Sequence, residues 1–109
     1  QYINWFDSDD LMEPQKLETD LKHITSGDYD FTISQSIFFS DKRTAKEQIW
    51  NKNLWSAYPI YDFITKKIGW GVNSPLWVRE SLEINKLHFD EEIMTANDFM
   101  FHLIIHYVI

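Results

Sequence analysis

A strand-sized aromatic run, Tyr2-Ile3-Asn4-Trp5-Phe6, stops at three aspartates within four positions, Asp7, Asp9 and Asp10, and a proline-started helix follows at Pro14. No other feature of the chain constrains its fold as tightly. A short aromatic, β-branched segment halted by an aspartate reads as a strand that ends there. Pro14 suits the first turn of a helix, because the N–H it lacks is not needed there. Three carboxylates this close repel one another, so folding them together is costly unless a cation sits between them.

Leu17, Leu21 and Ile24 fall on one face at helical spacing, with Gly27 as the expected stop. Phe31, Ile33, Ile37 and Phe39 then share one parity, with Thr32, Ser34 and Ser36 on the other, which predicts a half-buried strand from about Asp30 to Phe39. The order strand, helix, strand is the unit that builds a parallel or mixed sheet with helices across it. The expected fold is therefore α/β, a mixed sheet with flanking helices, in one domain spanning residues 1–109. Thr44 to about Trp55 reads as a weakly amphipathic helix. A second short helix follows Pro59 and stops at Gly69, with Ile60, Phe63 and Ile64 on it and Lys66 and Lys67 near its end. Leu76 to Arg79 reads as a strand and Glu80 to Asn85 as a helical turn. Ala96 to Ile109 reads as a helix apolar nearly all round, one that is buried or packs against something outside the chain.

The 109 residues, 44% of them hydrophobic, supply one compact core and are too few for two ordinary domains. A net charge of −7 without a Lys/Arg stripe argues against direct nucleic-acid binding. An acidic chain that handles phosphate needs a metal ion or helix N-termini to offset its own field. The absence of cysteine excludes disulfides and thiolate metal sites and fits a reducing compartment. No apolar run approaches the roughly 20 residues that span a bilayer. The start at Gln1 and the apolar end at Ile109 suggest cuts through a longer protein.

The acidic cluster has two readings. It offers hard oxygen ligands to Mg²⁺ or Mn²⁺ shared with a phosphate, or it is an ordinary turn and helix cap. An EF-hand loop counted from Asp7 fails, because Met12 stands where glycine is required. Asp98, His102 and His106 recur every four residues, a spacing open to Zn²⁺, but the apolar surroundings favour buried histidines. Asp98 also completes a capping-box spacing with Thr95. Trp70, between Gly69 and Gly71, is either a sugar-stacking platform or a core residue. Asn73 and Ser74 either hydrogen-bond a ligand or make a turn.

The run from Ile3 to Glu18, with its DxD-type Asp7-Ser8-Asp9, an apolar residue, Pro14 and Lys16-Leu17-Glu18, resembles the metal-binding segment of family 2 glycosyltransferases of the GT-A fold. Asp28-Tyr29-Asp30-Phe31 resembles the family's next strand, and Asn73-Ser74-Pro75-Leu76-Trp77 its acceptor-side segment. Phe89-Asp90-Glu91-Glu92 with Asn97-Asp98 resembles the stretch carrying its catalytic base, with Asn97 standing where the family has Glu. The resemblance implies the second half of a GT-A catalytic domain, lacking the first strands and the pocket for the nucleotide base. It implies Asp7, Ser8 and Asp9 on the donor, Asp7 and Asp9 on a Mn²⁺ or Mg²⁺ ion, and Asp98 as the base that deprotonates the acceptor hydroxyl in an inverting transfer. Trp70, Asn73 and Ser74 would then lie on the acceptor side. The donor would be a nucleotide-diphosphate sugar and the acceptor a glycan or lipid-linked glycan. The setting would be cytoplasmic, at the inner face of a membrane, with peripheral association of the intact enzyme. A sheet cut in half exposes an edge and a face, which invites pairing into a homo-oligomer. The alternative is a non-catalytic α/β interaction module whose acidic cluster is a turn and helix cap.

Overall fold

The computed structural model describes residues 1–39, 48–93 and 97–108, with Asn97 and residues 106–108 described by backbone alone. In chain order the elements are β1 (Tyr2–Ile3), α1 (Lys16–Ile24), β2 (Phe31–Thr32), β3 (Ile37–Phe38), β4 (Gln48–Ile49), α2 (Pro59–Ile64), β5 (Leu76–Val78), α3 (Arg79–Ile84) and α4 (Asn97–Val108). They form a small mixed α/β domain with antiparallel sheets. The main sheet has the order β1-β5-β2. Tyr2 and Ile3 face Val78 and Trp77, while Phe31 and Thr32 face Trp77 and Leu76. β3 and β4 make a separate ladder with Ile37 opposite Ile49. The expected mixed sheet is thus corrected: every described ladder is antiparallel, because β5 from late in the chain inserts between the two early strands.

Strands are shorter than the alternation predicts, and side chains explain where they stop. After Ile3, Asn4 Nδ2 donates to the carbonyls of Asn73 (3.1 Å) and Pro75 (2.7 Å), serving acceptors that a longer ladder would have used. The predicted strand 30–39 is split between the two sheets. At the break Ser34 N–H donates to Ser74 Oγ (2.8 Å), which in turn donates to Ser34 O (2.7 Å). Ser36 N–H donates to Asn51 Oδ1 at 2.7 Å. Backbone groups satisfied this way no longer need a neighbouring strand.

The predicted helix 44–55 is corrected where it is described: Gln48 and Ile49 are a strand and residues 50–55 are not helical; residues 44–47 lie outside the described residues. α1 forms where expected but is rolled about its axis, so that of the expected apolar face only Ile24 stays buried. Leu17 and Leu21 are 46% and 42% exposed, whereas Asp20 and Ile24 are buried. Lys16 pairs with Asp20 one turn on, and its Nζ donates to Ser74 O at 2.9 Å. Seating that ion pair against the β5 approach rolls the leucines outward.

α2 starts with Pro59 at its first position, as the missing N–H allows. It ends at Ile64, and the left-handed residue that closes it is Lys66 (φ 60°), with no role for Gly69. Lys86 (φ 53°) closes α3 the same way.

Two apolar clusters fill the interior. Trp77, Leu82, Phe101 and Ile105 form one, with Trp5 and Phe89 packed on it; Phe63, Ile68 and Trp70 form the other. Phe31 touches both, its ring centroid 4.5 Å from that of Trp77 and 6.1 Å from that of Trp70. α4 buries Phe101, His102 and Ile105 and leaves Ile104 in water, so only one side of this apolar helix is covered.

Candidate metal centre

Trp5 fixes the approach to the acidic turn. Its ring meets Phe89 and Phe101 edge-on at 5.1 and 5.5 Å. The chain then reverses, Asp10 N–H donating to Asp7 O at 3.2 Å across Ser8 and Asp9. This four-residue turn gathers one carboxylate oxygen each from Asp7, Asp9 and Asp10 within 4.8 Å of one another. Asp7, Ser8 and Asp9 are exposed and Asp10 is half-buried. Asn73 Nδ2 donates to Asp10 Oδ2 at 3.0 Å, tying the turn to the segment before β5. Burial, and then the charges of Asp9 and Asp7, raise the pKa of Asp10 above the usual carboxylate value, while the Asn73 hydrogen bond opposes the rise.

A cleft of about 320 Å³ opens beside the turn, with Asp10, Asn73, Ser74 and Lys16 in its lining. The donor set is entirely hard carboxylate oxygen and partly open to solvent, which fits Mg²⁺ or Mn²⁺ and would not select a soft metal. Among the described residues no other group of carboxylates and histidines is close enough to hold a metal.

The residues singled out in the sequence separate into three places. Asp7, Ser8 and Asp9 stand in the exposed turn, and Asn73 lines the cleft beside it; Asp10 joins the two, and its pairing with Asn73 is one the sequence does not reveal, although its place inside the same turn was the available signal. Ser74 lies at the cleft as well, but it is 1% exposed and its hydroxyl is engaged by Ser34 on both sides, so it organises the backbone. Trp70 is 3% exposed, packed on Phe63 at 5.1 Å and stacked with Trp55 at 6.1 Å. Of its two readings the core one holds, and no face is left for a sugar ring. Asp98 is exposed in the first turn of α4 and lines a second cleft, which shares no lining residue with the first. Thr95, its capping-box partner, lies outside the described residues. His102 is buried and stacked on Trp77 with ring centroids 6.2 Å apart, while the His106 side chain is not described. Lys16 and Asp20, at the floor of the first cleft, carried no functional reading in the sequence; their i,i+4 spacing was the signal.

Comparison with protein-family models, curated proteins and solved structures gives no significant match to this chain. Among the described residues no helix is long and apolar enough to cross a membrane.

Proposed function

We propose that the acidic turn binds Mg²⁺ or Mn²⁺ together with the diphosphate of a nucleotide-sugar, and that the chain is the second half of a GT-A glycosyltransferase domain. One observation carries this reading: two segments that resemble the family's donor and acceptor stretches are joined by the Asn73–Asp10 hydrogen bond although 63 residues separate them. A cation held there offsets charge that builds on the departing diphosphate. The resemblance gives Asp98 the removal of the acceptor hydroxyl's proton in an inverting transfer, but Asp98 lines the second cleft of this chain, so the support for the reading lies in the acidic turn and Asn73. A glycan or lipid-linked acceptor and a cytoplasmic, membrane-peripheral setting for the intact enzyme belong to the same reading.

Saturation-transfer NMR with UDP tests it, since that method detects weak binding by a partial pocket. UDP signals are expected to be saturated in Mg²⁺, to recover in EDTA, and to stay unsaturated with Asp9→Ala. Saturation that persists without metal, or in Asp9→Ala, would contradict the proposal.

A second reading, a non-catalytic interaction module, is favoured by large apolar side chains left in water, among them Tyr58 (74% exposed), Ile84 (71%) and Leu11 (66%). A second copy of the chain is one partner that this surface would accept.

A further inference from the structure

The second cleft, of about 620 Å³, has a chemistry opposite to that of the molecule around it. The chain carries a charge of −7, yet Lys52, Lys66 and Lys67 line this cleft, with Asp98 as its single carboxylate among the described residues. Lysines that follow a helix ordinarily serve the carbonyls of its last turn. In α2 the carbonyls of Tyr61, Asp62 and Phe63 already have backbone donors. Lys67 N–H and Ile68 N–H donate to Asp62 O (2.8 and 3.2 Å), Lys66 N–H to Phe63 O (3.1 Å) and Thr65 N–H to Tyr61 O (3.0 Å). The ammonium groups are therefore not needed to finish the helix.

Their other partners are few. Lys67 Nζ lies 3.6 Å from Asp62 Oδ1 and 5.4 Å from the Tyr61 ring centroid, an exposed arrangement of little energetic weight. Among the described residues no carboxylate forms an ion pair with Lys52 or Lys66. Trp50, half-exposed, supplies an aromatic surface beside them. Its ring lies beside Gly71, 3.8 Å from where a Cβ there would stand, which is ordinary van der Waals contact.

We propose that this cleft binds a soluble phosphate monoester, with Lys52 and Lys66 on the phosphate and Trp50 against the organic group. The volume suits a small ligand, lysines act on phosphate as point charges, and an exposed indole takes a flat or apolar group. No metal is required, and of the residues named in the proposed function only Asp98 lines this cleft.

Phenyl phosphate titrated into the isotope-labelled chain in EDTA tests the proposal, read by the NMR shifts of the Asn53, Lys66, Lys67 and Gly69 amides and the Trp50 indole. Saturable shifts at these groups are expected, weakening as salt rises. Lys52→Gln with Lys66→Gln is expected to weaken binding about tenfold by removing two charge-assisted contacts. Lys52→Gln alone, which leaves the left-handed residue untouched, should show part of that loss if the double variant does not fold. Inorganic phosphate should move the same amides with lower affinity, and equal affinity would overturn the role of Trp50. The site is overturned by the absence of shifts, by shifts centred on Asp7 to Asp10, or by undiminished binding in Lys52→Gln. Binding to phosphatidic acid vesicles in place of phenyl phosphate would overturn the soluble ligand.

Discussion

Asp10 is where local chemistry and fold meet. Its carboxyl is drawn into the cleft edge by Asn73, next to two like charges. A raised carboxyl pKa means that the folded chain holds the proton more tightly than the unfolded chain does, so ionising Asp10 costs stability. The cost is absent at pH values below the ordinary aspartate range. It grows as pH climbs from there and is complete once pH exceeds the raised value of the folded state. Asp10→Asn removes the charge and keeps an oxygen acceptor for Asn73. Thermal denaturation should therefore give Asp10→Asn a higher midpoint than the parent at neutral pH, with the difference closing as pH falls through the aspartate range. Equal midpoints at neutral pH would mean that the repulsion is dissipated by solvent. A metal in the turn would remove the same cost by opposite charge.

At the scale of elements, α1 turns on an ion pair. Lys16 and Asp20 have side chains that are 13% and 7% exposed, so removing one leaves the other charged and poorly solvated. Asp20→Ala is expected to cost about 3 kcal/mol in chemical denaturation, the penalty for breaking a buried pair. Leu21→Ala on the outer face should cost well under that. The reverse ranking would restore the orientation that periodicity predicts. The existence of α1, α2, α3, α4 and β5 was legible in the sequence, because period, proline placement and chain punctuation are local signals. Which face of α1 is buried was not legible: the stripe of Leu17, Leu21 and Ile24 competes with a polar pair whose third partner, Ser74 O, comes from 58 residues away. The split of strand 30–39 is illegible for the same reason, since Ser74 and Asn51 reach it from 40 and 15 residues away. The end of α2 was misread because a lysine, Lys66, and not Gly69, adopts the left-handed closing conformation, whereas the end of α3 falls within one residue of the expected Asn85.

For the whole molecule, the decisive event is the insertion of β5 between β1 and β2. It carries Asn73 and Ser74 to the first cleft, places Trp77 between the strands, and lets Phe31 join the two apolar clusters. The acidic turn itself is local, and its aspartates were read from the sequence. Its partner Asn73, and the separation of Asp98 into a second cleft, belong to the topology. A metal centre built by this fold must therefore be felt at both ends of the Asp10–Asn73 link.

Paramagnetic broadening by Mn²⁺ measures this directly. Substoichiometric Mn²⁺ added to the isotope-labelled chain should broaden the amides of Asp7, Ser8, Asp9 and Asp10 together with that of Asn73, and Asp9→Ala should abolish the effect. Broadening confined to residues 7–10 would contradict the fold around the site. Uniform broadening, or an effect unchanged by Asp9→Ala, would contradict the metal centre itself.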